Sequence, residues 1–183
     1  MTEAVGSSGY AATTISDVVR RARVSKRTFY EHFADKEACF LAAYDAASET
    51  ILRIVGEAAR QRGRWDERIE NAVRAYLDAM AARPELDRAF LVEILGAGPR
   101  ALARRREHIA RFADQLVALT DALRREEPTL LPLSTPVATA LVAGINELVL
   151  EAVERNRVPE LPELSDAATA LIRRAIAPPT AIS

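Results

Sequence analysis

Residues 14 to 36, TISDVVRRARVSKRTFYEHFADK, constrain this chain most: two helical patterns of eight or nine residues flank a tight turn, with five basic residues around it. Thr14 followed by Asp17 reads as a capping box that opens the first pattern, with Ile15, Val18 and Val19 on one face and Ala22-Arg23-Val24 closing it. Ser25 caps the second, whose Phe29 and Phe33 stand four apart and so point the same way. Asp35 caps a third. Helical periodicity dominates the rest of the chain, and few stretches show the period-two alternation of strands. The expected fold is all-α: a helix-turn-helix head over residues 1–45, then a larger helical domain over 46–183.

The third helix keeps a three-four spacing through Phe40, Tyr44, Ala47, Ile51, Ile54 and Ala58, as far as Gln61-Arg62-Gly63, and reads as a connector. Ile69, Val73, Tyr76, Leu77 and Met80 form a stripe ending at Arg83-Pro84. Leu86 to Leu95 fit two shorter helices before Gly96-Ala97-Gly98-Pro99. A helix from about Arg100 to Arg125 turns Ile109, Phe112, Leu116, Leu119 and Leu123 inward, leaving Arg104, Arg105 and Arg106 as a solvated face diluted by Glu107, Asp114 and Asp121. Residues 137–155 are apolar around almost the whole circumference, so that helix needs cover on more than one side. After a Pro159 to Pro162 loop, Leu164, Ala168, Leu171, Ile172, Ala175 and Ile176 make a last amphipathic helix. A second copy of the chain is the expected cover, with Leu141, Ile145, Leu148, Val149, Leu171 and Ile172 as interface candidates in a four-helix contact.

Bulk composition excludes several classes. No apolar run approaches the ~20 residues of a membrane span, and MTEAVGSSGY carries an acid and no apolar block, so neither a membrane partner nor a signal peptide is expected and the compartment is read as the cytoplasm. Cys39 is the one cysteine, flanked by Ala38 and Phe40, which suits packing rather than a disulfide or a catalytic thiol. Two histidines, no His-Glu-x-x-His spacing and no glycine-rich phosphate loop argue against an enzyme, and no cofactor, metal site or catalytic residue is expected. Net charge is −1, yet residues 20–27 alone carry +5, so a basic spot sits on a body of −6.

That spot lies where the second short helix, KRTFYEHF, begins. With Phe29 and Phe33 inward, Lys26, Arg27, Thr28, Tyr30 and His32 are left at its exposed start and outer flank, where donors suit a phosphate or a guanine edge. The stretch GYAATTISDVVRRARVSKRTFYEHFADKEACFLAAY resembles the DNA-binding segment of the TetR (tetracycline-repressor-like) transcriptional regulators, above all Thr28-Phe29-Tyr30-Glu31-His32-Phe33 followed by Lys36-Glu37. The Gly144-Ile145-Asn146-Glu147-Leu148 helix, the Pro-Glu-Leu loop and the last helix resemble, by layout, that family's ligand-binding and dimerisation domain.

The resemblance implies that Thr14, Tyr30, His32 and Lys36 hold phosphates, that Lys26, Arg27 and Thr28 meet base edges, and that Ser25 contributes at the rim. It implies a ligand-responsive repressor acting as a homodimer on a palindromic double-stranded operator, with heads about 34–36 Å apart. Tyr76, Met80, Phe90, Phe112 and Asn146 are candidates to line a cavity for a small apolar or amphipathic effector, and read equally well as core. Two departures stand out. Arg23 occupies the turn position where the family usually has glycine, and only MTEAVGSS precedes Gly9-Tyr10, so the first helix is expected to be missing, or a stub ending near Val5. A stub would leave Ile15, Val18, Phe29 and Phe33 partly uncovered and the head loosened. The alternative function is therefore a dimeric helical relative that no longer binds DNA well.

Overall fold

The structure is a computed structural model that describes residues 1–178; the last five positions of the expected larger domain, 179–183, lie outside the described residues. The described residues are helical throughout, without a strand: α1 (Thr2–Ser8), α2 (Ile15–Ala22), α3 (Lys26–His32), α4 (Lys36–Ala59), α5 (Trp65–Ala81), α6 (Pro84–Asp87), a π-helical segment (Arg88–Glu93), α7 (Ile94–Gly96), α8 (Pro99–Glu126), α9 (Thr135–Glu154), a 3-10 segment (Val158–Leu164) and α10 (Ser165–Ile176).

Local chemistry sets the boundaries of the head. The Thr14 hydroxyl accepts from Asp17 N–H while the Asp17 carboxylate takes the Thr14 N–H, so both orphan donors are satisfied. Ser25 and Asp35 each accept the N–H three residues on, opening α3 and α4. Arg23 ends α2 with φ 56°, in the left-handed region where a side chain costs on the order of 1–2 kcal/mol, and its N–H and that of Val24 both return to the last turn.

The head is covered. The first helix runs to Ser8, past Val5, and Val18 and Phe29 are buried with Val19 and Cys39, with Met1 packed against them. The expectation of a loosened head is corrected at Val18 and Phe29 and holds only at Ile15 and Phe33, which are half-buried. A short α1 suffices because it has a second support: Val5 is fully enclosed with Phe40, Phe90 and Ile94, so α1 docks on the 84–97 stretch of the larger domain. Tyr10 N–H donates to Glu93 Oε2 at 2.7 Å, and Lys36 Nζ donates to Tyr10 O and Thr13 O at 2.7 and 2.9 Å.

In the larger domain α5, α8, α9 and α10 pack around Ile69, Leu77, Leu123, Val149, Leu161 and Ile176. α4 passes unbroken across the expected boundary at residue 45 and joins head to body. Midway along it, Asp45 accepts from Arg104 at 2.8 Å and contacts His108 Nε2 at 2.7 Å, tying α4 to α8; Arg104 is thus paired rather than simply solvated. Two local expectations are revised. The 84–96 stretch is one helical run with a π-helical middle instead of two separate helices, since no glycine or proline interrupts residues 85–95, and the Pro159–Pro162 loop is wound into 3-10 turns. α9, 20 residues, is long and apolar enough to cross a membrane by length and composition; here Ala138, Ile145, Val149 and Val153 fix one side of it in the core.

Beside the π-helical segment sits an unusual group. Asp87 is 1% exposed and neither carboxylate oxygen has a hydrogen-bond partner among the described residues. Burial pushes its carboxyl up to about 8.

Candidate DNA interface and effector cavity

The exposed face of α3 is built by what its inner face buries. Phe29 packs against Phe33 and, edge-on, against Tyr30, with centroids 5.6 and 5.5 Å away. That anchor leaves Lys26, Arg27, His32 and Tyr30 exposed, Tyr30 at 57%. Arg27, whose side chain is 91% exposed, meets Glu31 at 3.2 Å, a surface pair worth little and cheaply exchanged for a phosphate or a base. Lys26 has no acidic partner among the described residues. Arg20 is held by Asp17 at 2.7 Å and Arg21 donates to Ser7, so part of the +5 cluster is engaged within the head.

Other expected contacts already have internal tasks. The Ser25 hydroxyl lies 3.0 Å from both Thr28 N and Thr28 Oγ1, and the Thr14 hydroxyl lies 2.6 Å from Asp17 Oδ2. Lys36 uses two of its three N–H groups on the 10–13 segment and stands 4.2 Å from the Tyr10 ring centroid, so one N–H remains for any phosphate.

In the body a cavity of about 290 Å³ lies between α4, α5, α8 and α9, with Ile172 of α10 at its wall. Of the five expected lining residues, Tyr76, Phe112 and Asn146 line it. Met80 and Phe90 do not: Met80 is closed into the body core, and Phe90 stacks on Phe40 and Tyr44 under the head. The sequence reading missed Arg60, Arg68 and Gln115, because a polar residue on an amphipathic helix looks the same whether it meets solvent or a cavity. α4 and α8 meet at Gly56, where a Cβ would stand 2.9 Å from Gln115 Nε2, the end of a flexible side chain that donates to Leu52 O at 3.0 Å.

Polar chemistry inside the cavity is sparse and directed. Tyr76 donates its hydroxyl to Asn146 Oδ1 at 2.5 Å, and burial drives the Tyr76 hydroxyl pKa upward, so it keeps the proton it donates.

The expected dimer face divides in two. Ile145, Val149 and Ile172 are buried in the chain's own core and are withdrawn as interface residues, because their side of each helix faces α5 and α8. Leu171 is 40% exposed, Val137 45%, and Leu141 and Leu148 are half-buried, which leaves an apolar strip along α9 and α10.

Residues 3–43 match the family model for bacterial regulatory proteins, tetR family. No curated protein matches the chain. Among solved structures, the transcriptional regulator FadR from Bacillus subtilis in complex with stearoyl-CoA is similar with TM-score 0.81 and 16% identity, covering 93% of this chain and 92% of that one. FadR from Bacillus halodurans gives TM-score 0.82 at 16% identity over the same shares, 93% and 92%. A TetR-family regulator from Pectobacterium atrosepticum gives 0.72 at 21% identity, covering 98% of this chain and 91% of that one. At such identities the structural likeness speaks for the fold, while the head match speaks for the motif. Together, the matched residues 3–43, with the outward basic α3 they contain, give the chain a head similar to that of the tetR family of bacterial regulatory proteins, and the all-helical body behind it shares the fold of the solved regulators.

Proposed function

We propose that the chain is a ligand-responsive repressor that binds a palindromic operator as a homodimer, the head spanning residues 1–45 and the effector and dimer surfaces lying in 46–183. The observation that carries the reading is α3: Phe29 is 4% exposed beneath a helix whose Lys26, Arg27 and Tyr30 face solvent. Lys26, Arg27 and Thr28 take base edges; Thr14, Tyr30, His32 and Lys36 take phosphates, Lys36 with its remaining N–H, and Ser25 contributes at the rim. The cover over Val18 and Phe29 removes the packing reason for a relative that has lost DNA binding.

Selection of bound DNA from a random pool, followed by mobility shifts between 50 and 200 mM salt, tests this. Arg27→Ala is expected to relax preference at one or two positions by about 1–3 kcal/mol, whereas Tyr30→Phe weakens all sequences alike. Equal, sequence-independent losses from both would remove the assigned roles.

For the dimer, the strip of Val137, Leu141, Leu148 and Leu171 is what a copy covers, and exposed Gly144 lets the helices approach. Leu148→Arg is expected to give monomers on size-exclusion chromatography and to abolish tight operator binding, while thermal unfolding of the monomer stays cooperative. An unchanged dimer would move the interface elsewhere.

The effector is a small apolar or amphipathic molecule. The cavity walls, mostly Ala, Val, Leu, Ile and Phe side chains, support this, and the Bacillus subtilis FadR structure is one with stearoyl-CoA. The effector acts by favouring a head spacing that does not fit the operator, since equal affinity for both arrangements would shift nothing.

A further inference from the structure

We infer that the effector is a two-ended molecule, an apolar chain with an anionic group at one end and a neutral acceptor oxygen at the other, about 12 Å apart. This rests on the cavity being the effector site. Its two ends differ chemically. Arg68 and Tyr76 both line it from α5, and eight residues of helix separate them by about 12 Å.

At the Arg68 end the cavity opens beside Arg60. Arg68 Nε donates to Ala59 O at 2.9 Å, which brings the start of α5 against the end of α4, and its Nη1 is neutralised by Glu126 at 3.0 Å. Arg60 lines the same end, is exposed, and pairs with no carboxylate among the described residues. It is the cation left over at the mouth.

At the Tyr76 end the polar group is a donor. The Tyr76 hydroxyl is enclosed and has one acceptor among the described residues, Asn146 Oδ1. That fixes the amide orientation: were it turned over, the phenol hydrogen would have nowhere to go. Asn146 lines the cavity, and with Oδ1 taken by Tyr76 its Nδ2 hydrogens are donated to no protein atom among the described residues. A purely hydrocarbon occupant would bury those hydrogens unmet, at a cost of about 1–3 kcal/mol. An acceptor oxygen there meets them. Val73, Phe112, Leu116, Val142 and Ile145 add apolar wall, with Phe112 against the Tyr76 ring and Gln115 the one further polar side chain among the lining residues, which suits an apolar chain. The volume of about 290 Å³ has room for many water-sized groups, not just one or two. A medium-length chain fits.

Titration calorimetry of the dimer with 10-hydroxydecanoate, decanoate and 1-decanol tests both ends. The hydroxy acid is expected to bind tightest. Arg60→Gln weakens both acids about tenfold and leaves 1-decanol unchanged. Asn146→Leu combined with Tyr76→Phe, which removes the hydrogen-bonded pair without leaving an orphan, weakens the hydroxy acid and the alcohol about fivefold and leaves decanoate unchanged or tighter. Decanoate and the hydroxy acid binding alike, with neither variant separating the three probes, would overturn the two-ended ligand while leaving the cavity as the effector site. No binding by any of the three would overturn both.

Discussion

Asp87→Asn is expected to stabilise the protein by several kcal/mol at pH 8 and by little at pH 4. The carboxyl is enclosed without a hydrogen-bond partner among the described residues, and burial raises it from the usual 3.8 to about 8. Between those limits the folded chain keeps a proton that the unfolded chain has released. The folded state therefore binds more protons, and stability falls as pH rises from about 4 to 8, then levels off. Four pH units correspond to about 5 kcal/mol as an order of magnitude. Asparagine keeps the shape and cannot ionise, so its unfolding free energy should be nearly flat over that window. Urea melts of both proteins at pH 5, 6.5 and 8 measure this directly. Parallel curves would mean that the carboxylate finds a partner that offsets its burial. Because Asp87 ends α6, against which α1 of the head docks, the same variant should tighten that docking at high pH.

Phe29→Ala is expected to abolish specific DNA binding while sparing the body. Phe29 is 4% exposed and is the shared wall of the small cluster with Val18, Val19 and Cys39, so truncation costs about 3–5 kcal/mol in a unit with few other buried residues. The larger core around Leu77, Leu123 and Val149 shares none of these contacts. Amide exchange should accelerate in residues 15–32 and stay slow in 145–153, and the variant should remain dimeric and bind effector. Retained operator specificity would show that α3 does not depend on this anchor.

Much of the head was legible in the chain because short-range chemistry fixed it. Thr14 with Asp17, Ser25 and Asp35 announce three helix starts within two dozen residues, and each caps where expected. Arg23, at the turn position where the family usually has glycine, takes a positive φ. What was not legible depends on contacts far apart in sequence. Val5 looked like the end of a stub; its burial needs Phe90 and Ile94, some ninety residues on. Which side of α9 faces home could not be read when nearly all its sides are apolar, so Ile145 and Val149 went to the wrong partner. Arg60 and Gln115 line the cavity beside Gly56, a neighbourhood set by how α4 packs against α8, some sixty residues on.

α4 also behaves as a beam. Its 24 residues form one rod about 36 Å long, and the Asp45 attachment to Arg104 and His108 lies close to halfway between Lys36, under the head, and Gly56, at the cavity wall. Arg100 on Glu37 and Gln115 on Leu52 O, each at 3.0 Å, fasten it to α8 again on either side of that attachment, so the rod is riveted at several points along its length and head and cavity share one stiff member.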